Sequence, residues 1–126
     1  TRPMRKLKLT LGAVVLEAEL LATPTAEALF AAAPFEARAS TWGEEVYFAT
    51  PVEVAAEQGA RDVMQPGELA YWPPGHAIAI GFGRTPASRG EEIRLASPCN
   101  VWGRALGEVK QLQGVPAGAR IRVEPA

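Results

Sequence analysis

The chain has 126 residues, with 13 Lys and Arg against 14 Asp and Glu. That size suits one domain of about 100–150 residues, and the charge balance offers neither a basic field for a phosphate backbone nor an acidic tail, so nucleic acid is not an expected partner. Single Cys99 and single His76 supply no internal disulfide and no zinc set.

The stretch Thr1-Arg2-Pro3 ahead of Met4 carries no structural signal. From Lys6 the chain alternates, with Leu7, Leu9 and Leu11 on one side and Lys6, Lys8 and Thr10 on the other, the period of a half-buried strand. After Gly12-Ala13 the pattern resumes with Val14, Leu16, Ala18 and Leu20 inward and Glu17 and Glu19 outward, which predicts an antiparallel hairpin.

Thr23-Pro24 is a helix start, because a Thr side chain accepts from an orphan N–H and Pro has none to waste. Ala26, Leu29, Phe30 and Ala33 then recur at helical spacing until Pro34 ends the run. The longest apolar runs, Ala28 to Ala33 among them, fall far short of the ~20 residues that span a bilayer. No membrane partner is expected, and with no signal-peptide pattern and one cysteine the expected setting is reducing and cytoplasmic.

Strand-like segments follow at 35–41, 44–50, 68–72, 76–82, 100–105 and 120–124, punctuated by Gly and Pro. Short strands at near-regular spacing favour a closed barrel, which removes exposed sheet edges. The stretch from Gly83 to Pro98 reads as a long irregular loop. No repeat or interdomain linker divides the chain, so residues 1–126 are expected to form a single domain.

Candidate chemistry is sparse. Ser40, Ser88 and Ser97 lie in no strand-to-helix elbow, and Cys99 has no evident base. Gly81-Phe82-Gly83-Arg84-Thr85 lacks the lysine of a phosphate loop, and no cofactor or metal site is implied. Glu44 and Glu45 are strand neighbours on opposite faces, so they cannot share a substrate as acid and base, though one can line a groove. His76, after Pro73-Pro74-Gly75, has no identifiable partner in the sequence. The aromatic residues Trp42, Tyr47, Tyr71 and Trp72 are the best material for a groove, since they offer apolar walls with polar tips. Tyr71 and Trp72 alternate, so only one of them enters a given face.

The segment Pro24-Thr25-Ala26-Glu27-Ala28-Leu29-Phe30 resembles the first helix of cyclophilins, and Gly103-Arg104-Ala105-Leu106-Gly107-Glu108-Val109 resembles their late strand leading to a short helix. Trp42 to Phe48, Gly67 to Gly75 and Asn100 to Arg104 are similar to small bacterial and archaeal cyclophilin-like proteins of largely unassigned function. Together these span about Leu7 to Val123. The resemblance implies a mainly β, closed cyclophilin-like barrel with one short helix in its first half and a second near 107–112.

Active cyclophilins carry a Phe-His-Arg run whose Arg is thought to stabilise the twisted prolyl amide. The run here is Phe35-Glu36-Ala37-Arg38, one residue longer, and a one-residue shift in a strand reverses the face unless a bulge restores it. The family's Gln-containing segment is replaced by Thr41-Trp42-Gly43-Glu44. The leading expectation is therefore a binding module whose groove, near Trp42, Glu44, Tyr47, Tyr71, Trp72 and Phe82, holds a peptide or small ligand, with Arg38 or Arg104 as charge anchor. The alternative is a peptidyl-prolyl isomerase in which Arg38 polarises the amide. A third reading is a subunit that binds another protein chain.

Overall fold

The computed structural model describes residues 5–126, and Thr1-Arg2-Pro3 lies outside the described residues. Alternating leucines pair β1 (Lys6–Leu11) with β2 (Val14–Leu20) as an antiparallel hairpin. Its turn places Gly12 at φ 60°, a left-handed conformation that costs glycine little. Helix α1 (Pro24–Ala32) begins as its cap residues require, with Thr23 Oγ1 accepting from the Ala26 N–H at 3.1 Å. Ala26 and Leu29 of α1 are buried in the barrel interior.

The remaining strands are β3 (Phe35–Arg38), β4 (Ser40–Thr41), β5 (Glu45–Ala49), β6 (Arg61–Met64), β7 (Glu68–Trp72), β8 (Ala77–Gly81), β9 (Ile93–Ala105) and β10 (Arg120–Pro125). A 3-10 helix at Val109–Gly114 supplies the second short helix. The sheet runs β3-β10-β1-β2-β9-β7-β8-β5-β4. Its two edge strands are consecutive pieces of one segment, separated only by Ala39, so the sheet curls into a nearly closed barrel. Ala39 itself bonds to the loop before β10, donating to the Ala119 carbonyl at 2.9 Å and accepting from the Gly118 N–H at 2.7 Å.

Alternation sorts the side chains. Val46 and Phe48 of β5, Leu69 and Tyr71 of β7 and Ile78 and Ile80 of β8 fill the interior with the hairpin leucines. Trp102 joins them at a register shift between β7 and β9, its indole N–H donating to the Ala70 carbonyl at 3.0 Å.

A second, smaller apolar cluster lies on the barrel's outer face. The stretch from Gly83 to Glu92 is the expected irregular loop, but the last part of Gly83 to Pro98 is strand: β9 starts at Ile93 and pairs with β6. Two steps along β6, from Arg61 to Val63, correspond to five along β9, from Cys99 to Arg94, so β9 is irregular around Pro98. Pro lacks the N–H that a regular ladder needs. Beyond that irregularity Ile93 and Leu95 pack with Met64, Ala70, Ala79 and Cys99. Asp62 and Arg94, 2.6 Å apart, tie the two strands of this flap together, and Arg61 ties it to Glu68 of β7. Among the described residues no helix is long and apolar enough to cross a membrane.

Between β5 and β6 the chain is pinned by one buried side chain. Asn100 donates to the Ala55 carbonyl and to Thr25 Oγ1, both at 3.0 Å, and accepts from the Glu57 N–H at 2.8 Å. Truncation strands those groups, and each unsatisfied buried group costs about 1–3 kcal/mol. Asn100→Ala is expected to lower unfolding stability by at least about 1 kcal/mol in urea titrations and to speed amide exchange at Glu57.

Candidate functional site

The outer faces of β5, β7 and β8 and the start of β9 enclose a cavity of about 270 Å³. Trp42, Tyr47 and Trp72 form its aromatic walls, Ala79, Leu95, Ala96 and Cys99 complete its apolar lining, and Glu45 enters it as a carboxyl group. Each wall is set by its element. Trp42 opens the turn between β4 and β5, its N–H bonded to the Glu45 carbonyl at 3.0 Å. The next residue, Gly43, has φ 60°, and a Cβ there would lie 2.9 Å from Thr85 Cα, so both conformation and space require glycine.

Trp72 is oriented from two sides. Its indole N–H donates to Ser97 Oγ at 2.6 Å, and the edge of its six-membered ring comes so close to Gly75 that a Cβ at that position would fall 2.5 Å from Cε3 and Cζ3. The Pro73–Gly75 segment that follows Trp72 is a single 3-10 turn, whose prolines stiffen the backbone beside it. Tyr47 shares the outward face of β5 with Glu45, because Val46 between them and Phe48 after them point inward.

The expected groove residues thus divide. Trp42, Tyr47 and Trp72 come together. Tyr71 does not join them: it is buried in the barrel interior, where its hydroxyl donates to the Val52 carbonyl at 2.6 Å and accepts from the Val54 N–H at 3.2 Å. Glu44 and Phe82 line a separate cavity of about 320 Å³ beside Leu112 and Val115. There Glu44 accepts from the Arg84 N–H at 3.1 Å. Arg38 is on the exterior, bonded to the Gly118 carbonyl at 3.2 Å and paired across the sheet with Arg120. Arg104 is exposed on β9 opposite Glu68. Neither arginine lines the aromatic cavity.

Glu45, Ala79, Leu95, Ala96 and Cys99 are the lining residues that sequence alone did not select. For Glu45 the signal was present in the strand, since it shares parity with Tyr47 while Glu44 does not.

Electrostatics single out the same residue. Glu45 is 6 % exposed, and its Oε1 is the one buried side-chain polar atom without a hydrogen-bond partner among the described residues. Burial penalises its charged form and pushes its pKa up to about 7. Burial also pushes the Cys99 thiol up to about 12, with the neighbouring Glu45 carboxylate adding to the effect. That thiol stays protonated at neutral pH and is a poor nucleophile. By contrast, the Arg61 guanidinium holds the Glu68 carboxyl below its usual range, so the flap's anchor stays charged.

The comparisons with known proteins agree with this architecture. A family model described as Cyclophilin-like matches residues 5–124. The chain belongs to the cyclophilin-like family. Among solved structures, the hypothetical protein AF2241 from Archaeoglobus fulgidus, determined in solution, is similar at 38 % identity with a TM-score of 0.83. The match covers 98 % of this chain and 95 % of that one. No curated protein matches the sequence. The cyclophilin-like barrel expected from the helix and strand motifs is thus the observed one, with an aromatic cavity on its outer face.

The Glu45 carboxyl carries a pH signature. Its pKa rises from an ordinary 4.5 to about 7 on folding, so the protonated form's stabilising contribution is complete below pH 4.5 and is lost as the pH climbs through about 7. Glu45→Gln keeps a neutral group and escapes that loss. Relative to the parent it is expected to gain on the order of 3 kcal/mol above pH 7 and nothing in acid, as read by urea unfolding across the pH range.

Proposed function

We propose that this cyclophilin-like domain is a binding module that takes a small ligand, free or presented as a peptide side chain, in the cavity walled by Trp42, Tyr47 and Trp72. The observation that carries the reading is the convergence of these three aromatics, from separate points in the chain, on one concave apolar space. Binding sites characteristically combine apolar and aromatic walls with a few placed polar groups, and here Glu45 is the polar group. A volume of about 270 Å³ lies just below the roughly 300–1,000 Å³ typical of ligand pockets, which favours a compact occupant.

The walls are also preorganised. Ser97 and Gly75 fix the Trp72 indole before any ligand arrives, so little side-chain entropy is lost on binding. Arg38, held at the exterior by Gly118, plays no part in this reading.

A screen of small neutral and charged fragments, followed through the indole N–H resonances of Trp42 and Trp72, tests it. Binders are expected to shift both signals. Trp72→Ala is expected to weaken them about tenfold or more, as loss of an aromatic wall does, and Arg38→Ala to leave affinity unchanged. Fragments that shift only residues around Glu44 and Phe82, or none that shift either indole, would sink the proposal.

A further inference from the structure

The cavity's lining has a chemical imbalance. Among the described residues nothing answers the buried Oε1 of Glu45, and none of those lining the cavity is cationic. The cations of the flap are already committed, Arg94 to Asp62 and Glu92 and Arg61 to Glu68, and Arg84, bonded through its backbone to Glu44, does not line the cavity. A buried carboxylate is tolerable when an opposite charge pairs with it. The side chains around it are two indoles and a phenol, whose ring faces attract cations and whose surfaces suit alkyl groups.

Resting on the binding reading above, we propose that the cavity is a receptor for an alkylammonium ion, with the cationic nitrogen against Glu45 and its alkyl groups against Trp42, Tyr47 and Trp72. Two indoles and a phenol beside one carboxylate supply both charge and apolar contact, and a tetra-alkylated nitrogen uses the aromatic faces most fully because it presents no N–H to satisfy.

The groups facing Glu45 are few. Cys99 faces it from β9 and Tyr47 shares its strand, while Ala79 of β8 and Trp72 of β7 do not titrate in water. Asp62, on the flap behind Cys99, is paired with Arg94. Ionisation of Glu45 itself therefore gates binding. A cation requires the carboxylate, so its affinity rises with pH through about 7. A neutral carbonyl ligand would instead accept from the protonated acid, and its affinity would fall.

The test compares choline with its uncharged isostere 3,3-dimethylbutan-1-ol, and both with a short peptide carrying trimethyl-lysine, on the full chain one pH unit below and one above the Glu45 midpoint of about 7. The indole resonances of Trp42 and Trp72 report binding. The ammonium compounds are expected to bind more tightly than the isostere and to gain about tenfold between the two pH values, following the ionised fraction. Glu45→Gln is expected to erase both the preference for charge and the pH dependence while the isostere still binds. Tighter binding of the peptide assigns the ammonium to a protein side chain, and tighter binding of choline assigns it to a free small molecule.

An isostere that binds as well as choline, or ammonium binding that strengthens in acid, overturns the charge assignment and leaves the cavity as a neutral-ligand site. Silence of both ammonium compounds at millimolar concentration overturns it too. The fragment screen with neutral compounds then decides separately whether the cavity binds anything. The comparison of choline with its isostere uses the unmodified chain, so it stands even if Glu45→Gln fails to fold.

Discussion

The site depends on β9 serving two faces of one barrel. From Asn100 onward the strand is an ordinary stave, pairing with β7 and then with β2. Before Pro98 it leaves that ladder and pairs with β6 instead, which lays Ile93 and Leu95 over the outer surface of β7 and β8. Both faces of those staves are therefore covered near the flap, and the uncovered remainder beside Tyr47 and Trp72 is the cavity. A proline that cannot donate to a ladder and a strand long enough to continue past it are together what create a second interior outside the first.

Much of this was legible because the signals were local. The β1–β2 hairpin followed from uninterrupted alternation, and α1 from Thr23-Pro24, whose capping chemistry is complete within four residues. The bounds of β7 matched the expected 68–72 because Gly67 and Pro73 punctuate it. β6 was not legible: of Arg61-Asp62-Val63-Met64 only Met64 is fully buried, and the strand is held by ion pairs, Arg61 to Glu68 on the next strand and Asp62 to Arg94 far along the chain. The start of β9 was obscured by Pro98 and by the charges at Glu91, Glu92 and Arg94, although Ile93 and Leu95 do alternate.

The site was legible by composition and blurred by phase. Aromatic clustering picked out Trp42, Tyr47 and Trp72, and alternation separated Tyr71 from Trp72 and Glu44 from Glu45. Which member of each pair faces the cavity is a tertiary fact, set by which face of β5 and β7 the barrel buries. The interior claimed Tyr71 because its hydroxyl reaches Val52 and Val54, a polar end satisfied by backbone within an apolar core. Most buried polar groups here are answered in this way, Asn100 and Glu68 among them, which is why the unanswered oxygen of Glu45 carries weight.

The outer wall beneath the flap is made of very small residues: Ala70, Ala79 and Gly81, with Ile93 resting where a Gly81 side chain would stand. None of them contributes to the barrel interior, which is packed from the opposite side of the same strands. A larger side chain at Ala79, which lines the cavity, would therefore reshape the cavity rather than the barrel interior, whereas Ile93 closes Gly81 to enlargement. The scaffold thereby separates the packing that fixes its architecture from the surface that shapes its outer cavity.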